Sequence, residues 1–119
     1  MKRIMPLVTV LAVTILVISC AKKVPGNVSE EEVIIKLIET ASTKEDHMKI
    51  ADYYEKQAEV MEEMSRSHAS KALTYQGRGG PFRGPARHCS SLSRKFTKAA
   101  EEYKAMAMEH ENIAKEILN

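Results

Sequence analysis

Gln76-Gly77-Arg78-Gly79-Gly80-Pro81-Phe82-Arg83-Gly84-Pro85 is the stretch on which the fold of this chain turns. It holds four of the five glycines and two of the four prolines. On either side, from 44 to 75 and from 86 to 119, there is neither Gly nor Pro. A Gly/Pro cluster breaks a helix, because glycine favours the unfolded backbone and proline lacks an amide donor. The flanks are rich in Ala, Glu, Lys and Met, which favour helix over strand. The reading is therefore all-α: an antiparallel helical hairpin with arms at about 44–75 and 87–118, reversing through a non-helical 76–85.

The spacing of small residues supports the reversal. Ala51, Ala58, Ser65 and Ala72 recur every seven residues on the first arm, and Ser93, Ala100, Ala107 and Ala114 on the second. Folded back, Ala51 faces Ala114, Ala58 faces Ala107, Ser65 faces Ala100 and Ala72 faces Ser93. A second row sets His47, Tyr54, Met61, His68 and Tyr75 against Ile117, His110, Tyr103, Phe96 and Cys89. Seven-residue recurrence on both arms is a coiled-coil signature, and small residues in the seam let two helices approach closely. The arms also resemble each other at a shift of 42 residues, which fits either a duplication or one packing demand met twice.

Upstream, Ser29-Glu30-Glu31-Glu32 is a capping-box pattern. Val33, Ile34, Leu37, Ile38 and Ala41 follow at helical spacing, predicting a short amphipathic helix at about 30–41. Thr43-Lys44-Glu45-Asp46 offers a second start signal, so a break is expected near 41–43. An Ala seam buries little area, and the row Leu92, Ala99, Met106 and Ile113, with Ile50 and Met64 on the other arm, is left needing cover. Either helix 30–41 folds back over it, or two hairpins pair as a four-helix bundle.

The extreme N-terminus carries a different signal. Lys2 and Arg3 precede an apolar run from Ile4 to Ile18, which ends in Val17-Ile18-Ser19-Cys20. A positive start, a short apolar stretch and a small residue before a cut describe a secretory signal. The run of about 15 residues falls short of the ~20 needed to span a bilayer. The last four residues resemble the lipobox of bacterial lipoproteins. That resemblance implies diacylglycerol on the Cys20 thiol, cleavage before Cys20 by signal peptidase II, and acylation of the new amino group. The expected division is a signal peptide at 1–19, lipidated Cys20 and a tether at 20–28, and a helical hairpin domain at 29–119. Ala21 in place of Asp implies, by the same resemblance, the outer membrane facing the periplasm. Lys22 and Lys23 suit a place near anionic head groups.

Without residues 1–19 the chain carries sixteen basic and sixteen acidic side chains. A formal charge of zero reads as a solvated helix surface with signs interspersed, and gives no case for a nucleic-acid partner. Arg78, Arg83 and Arg87 offer a cationic contact to lipid, lipopolysaccharide or an acidic protein.

Chemistry-bearing residues are few. No nucleophile–base pattern or phosphate loop is visible, and the paired carboxylates Glu62–Glu63 and Glu101–Glu102 are expected away from the seam, so no enzyme is expected. His47, His68 and His110 fall on the seam row, and His88 adjoins Cys89. Met61 and Met106 lie on the same helices, with Met108 nearby. Imidazole with soft sulfur is the donor set of copper(I), and also serves zinc. His68, His110, His88, Cys89, Met61 and Met106 are therefore the candidate metal ligands, beside the plainer reading of seam histidines that fix register. With Cys20 lipidated, Cys89 has no partner in its own chain, so it is a buried thiol, a ligand or half of an intermolecular disulfide.

The Ala-spaced Tyr and His pattern, with the Gly/Pro stretch followed by His88-Cys89, resembles small Ala/His-rich helical proteins of the bacterial periplasm. This resemblance supplies no active site. Two functions are expected: a lipid-anchored structural or interaction module whose partner is a second copy or another envelope protein, or a periplasmic copper- or zinc-binding lipoprotein.

Overall fold

A computed structural model describes residues 29–117. The expected signal peptide at 1–19, the expected lipidation of Cys20 and the expected tether at 20–28 lie outside them. Three helices follow in order: α1 Glu30–Thr40, α2 Lys44–Arg78 and, after a 3-10 turn at Gly80–Phe82, α3 Arg83–Glu116. α2 and α3 pack along their length as an antiparallel hairpin. At 35 residues α2 is about 52 Å long. Among the described residues no helix is long and apolar enough to cross a membrane.

The two upstream start signals work as caps. Ser29 Oγ accepts the Glu32 amide at 3.2 Å. Thr43 Oγ1 accepts the Asp46 amide at 3.1 Å, while the Asp46 carboxylate accepts the amides of Thr43 at 3.1 Å and Ser42 at 3.3 Å. These bonds, the Thr43 side chain foremost, hold the Asp46 carboxyl below its ordinary value. Donors that helix geometry leaves unpaired are thus satisfied at the start of both helices.

The reversal is tighter than the sequence suggests. Gln76, Gly77 and Arg78 continue α2, and Arg83, Gly84 and Pro85 open α3, so the expected ten-residue loop shrinks to Gly79 and one 3-10 turn. The first arm therefore runs past 75 to Arg78, and the second begins at Arg83 rather than 87 and ends at Glu116 rather than 118. Proline breaks a helix only where its missing amide is needed. Pro81 sits at the start of the 3-10 turn, and Pro85 in the first turn of α3, where amides have no helical partner anyway. The bend itself is made at Gly79 and Gly80, whose φ angles of 62° and 52° lie in the left-handed region that glycine enters freely. Gly79 caps α2 by donating to Gln76 O at 3.1 Å.

The core is a line of alanines. Ala51, Ala58, Ala72, Ala100, Ala107 and Ala114 are all buried, and Ala86 extends the α3 row one heptad toward the turn. α1 folds back over the open end of the hairpin. Glu30 at its start lies 4.0 Å from Lys56 Nζ, so α1 runs antiparallel to α2. Ile34 is 7% exposed on its inner face, and Ile50 beneath is fully buried. The molecule therefore has a three-helix base and a two-helix tip.

Candidate functional site

At the base of the hairpin, four rings form a continuous row across the two arms. Tyr103 stacks on Tyr54 with centroids 6.1 Å apart, Tyr54 lies 5.9 Å from His110, and His110 stacks on His47 at 5.2 Å. Tyr53 meets Tyr54 edge-on at 5.5 Å. The seam rows deliver these rings because Tyr54, His47 and His110 share one register. The expected Tyr54–His110 neighbourhood is present, and His47 completes it one heptad away from the partner expected for it, Ile117.

The Nδ1 atoms of His47 and His110 are 2.9 Å apart, a hydrogen-bond distance. One nitrogen must donate and the other accept, so this edge holds a single proton. Burial, then the neighbouring His47, lowers the His110 pKa from its ordinary 6.5, with Glu109 opposing. A zinc ion bound by both nitrogens would have bonds of ~2.0 Å, which at a tetrahedral angle needs the nitrogens ~3.3 Å apart. A small parting of the rings would admit it.

The other candidate ligands do not join this pair. His68 stacks on Phe96 at 5.4 Å, and its buried Nδ1 has no hydrogen-bond partner. It lies two heptads along α2 from Tyr54, about 21 Å at 1.5 Å per residue. His88 is exposed and Cys89 is a half-buried free thiol, both more than 20 residues along α3 from His110. Met106, 37% exposed, helps line the cleft between α1 and the hairpin. Met61 is half-buried on α2. The six residues are thus spread along the rod. Among the described residues no three His, Cys, Asp or Glu side chains gather as a metal site.

Midway along the seam, Ser65 Oγ bonds to Ser93 O at 3.0 Å, to Ser93 Oγ at 3.2 Å and to Thr97 Oγ1 at 2.8 Å. Ser65 was expected opposite Ala100. It reaches the next heptad instead, because a hydroxyl in an apolar seam turns toward whatever polar partner is in range. Glu62 also reaches across, pairing with Lys104, rather than facing wholly away.

The most unusual feature is the distribution of charge. From Met64 to Ala100 the chain carries eight Lys or Arg and no Asp or Glu. All sixteen acidic side chains lie in 29–63 and 101–119, with only six lysines among them. The hairpin brings each set together, so the tip is wholly basic and the base strongly acidic. Zero net charge conceals this. Counting by segment rather than over the whole chain would have exposed it, and the charges are segregated rather than interspersed. Among the described residues, Arg66 to Glu62 at 3.7 Å is the one ion pair made by a tip cation, at the boundary of the two halves. Arg78 instead lies over the Phe82 ring, 3.8 Å from its centroid.

Apolar rows cross this boundary too. Tyr53 and Val60 are one heptad apart, as are Met106 and Ala99, then Ala99 and Leu92. α1 covers the base ends of these rows, with Ile34 and Ile38 facing Tyr53 and Met106 across the cleft. Toward the tip they are bare, with Val60 49%, Met64 39% and Leu92 38% exposed.

No family model, curated protein or solved structure matches the chain.

Proposed function

We propose that this protein is a lipid-anchored component of the bacterial envelope whose hairpin is a non-catalytic binding module. The observation that carries the reading is the surface just described: a bare apolar strip of Val60, Met64 and Leu92 running from an acidic base into a wholly basic tip. Segregated charge of this kind steers partners and selects among them. The anchor rests on Val17-Ile18-Ser19-Cys20 at the end of the apolar run. Several acyl chains on one residue hold a protein stably at a bilayer, where one chain is marginal. Palmitate labelling of the full chain in a bacterial host tests the anchor. Label on the wild type and none on Cys20→Ala supports it; an unlabelled wild type sinks it.

A second reading, a copper- or zinc-binding lipoprotein, draws on the facing nitrogens of His47 and His110. The one soft donor within a turn of the pair is Met106, four residues from His110; Met61 lies two heptads from His47, about 21 Å along α2. His68, His88 and Cys89 would have to act elsewhere on the rod. Titration of the purified chain with copper(I) and zinc(II) decides it: stoichiometric binding lost in His110→Ala supports the reading, and no binding above background ends it.

A further inference from the structure

We propose that the partner of this binding surface is a second copy of the same chain. The two hairpins would pair antiparallel, so that the basic tip of each lies along the acidic base of the other. The inference rests on the reading of the hairpin as a binding module and names its occupant.

α1 spans 11 residues, about 16 Å, and covers only the base of the apolar rows. The rows continue past it through Val60 and Met64 on α2 and Leu92 on α3. A coiled-coil rod leaving such rows open on one side has room for one more helix over its second half. The chain itself offers a helix that fits. α1 buries Ile34 inward, leaves Val33 and Ile35 at its flanks each 51% exposed, and turns Glu32, Lys36 and Glu39 outward. When two hairpins are laid face to face and reversed, α1 of each copy falls over the bare half-groove of the other. The outward Glu32 and Glu39 then meet the basic tip of the other copy, with Val33 and Ile35 at the two edges of the contact.

Charge selects this arrangement over a parallel one. In a parallel pair the tip, with eight cations and no acid, would lie against its own likeness, and the acidic base likewise. In an antiparallel pair both contacts join opposite signs. The same basic surface could meet an anionic bilayer or a nucleic acid. Neither of those uses the acidic base, and neither covers the bare apolar strip with a helix. A second copy accounts for the base, the tip and the groove together.

The test uses the full chain purified in mild detergent, with mass measured by light scattering in salt of about 0.1 M and again near 1 M, where charges are screened beyond ~3 Å. One variant neutralises the tip with Arg78→Glu, Arg87→Glu, Arg94→Glu and Lys95→Glu. A second neutralises the base with Glu32→Lys, Glu39→Lys, Glu55→Lys, Glu59→Lys and Glu109→Lys. The wild type is expected to be dimeric at low salt and at least tenfold more dissociated at high salt. Each variant alone is expected to be monomeric, with helical circular dichroism retained. Mixing the two variants is expected to restore a dimer, because the intact tip of one then meets the intact base of the other. A wild type monomeric at low salt overturns the proposal, as does a mixture that stays monomeric. In the first case, vesicles rich in phosphatidylglycerol and duplex DNA are tried next. Binding by the wild type that the tip variant loses would leave the binding-module reading standing with a different partner. Binding to neither would remove that reading as well.

Discussion

His47 and His110 face each other across the hairpin through their Nδ1 atoms, 2.9 Å apart, on helices whose buried seam is lined by alanine. The contact requires a free lone pair on one ring. Protonating both rings removes it and places two positive charges side by side.

Stability should therefore depend on pH in a definite direction. The His110 pKa is lowered from 6.5 by burial and by His47. Above that ordinary value both the folded and the unfolded chain hold the ring neutral. As pH falls below it the unfolded chain takes up the proton first, so unfolding gains and stability is lost down to the folded-state value. The melting temperature should drop between about pH 7.5 and pH 5.5, and His110→Phe should flatten that part of the profile. An unchanged slope in the variant would remove the pair as its cause.

His68 offers the opposite case. Its ring stacks on Phe96, but its buried Nδ1 is unpartnered. A buried polar atom without a partner costs about 1–3 kcal/mol. His68→Phe keeps the stack and removes the cost, so it should be neutral or raise the melting temperature. Each kcal/mol is worth roughly 4–8 °C in a domain of this size. A loss of more than a few degrees would show that His68 has a role beyond packing.

The seam tolerates little extra volume. Ala58 is 1% exposed and Ala107 3%. Ala58→Leu forces the arms apart, at a cost of about 1–3 kcal/mol for overpacking. Thermal unfolding should show a drop, whereas Ala105→Leu, on the exposed face of α3, should change little. Equal effects at the two sites would argue against a close seam.

The cap at Thr43 holds the corner between α1 and α2. Thr43→Ala removes the acceptor for the Asp46 amide and should destabilise by about 1 kcal/mol. Thr43→Asp keeps an acceptor and should recover most of it. Amide hydrogen exchange over the first turn of α2 should rise in the alanine variant alone.

Helix and hairpin were legible because they are periodic. The rows led by Ala51 and Ala114 gave the two arms and their antiparallel direction without reference to anything outside the chain. The limits of the turn were not legible, since Pro81 and Pro85 act by position within a helix rather than by presence. The pairing of His47 with His110 instead of Ile117 was missed because a seam residue lies between two partners a heptad apart. Register alone does not choose between them. Ser65 illustrates the same ambiguity, resolved there by hydrogen bonding. The segregation of charge was present in the sequence throughout, hidden by a balanced total.

The fold-back of α1 has a mechanical consequence. Because Glu30 lies beside Lys56, the chain enters the rod on its flank, about 18 Å from the start of α2, and not at its end. In the antiparallel pair proposed above, end-mounted leashes would leave at opposite extremities, about 50 Å apart. Flank-mounted ones emerge either side of the symmetry axis, only about 15 Å from each other. If Cys20 carries the proposed lipid, two molecules moored in the same leaflet can embrace without either mooring being stretched, like a pair of oars hung from neighbouring rowlocks.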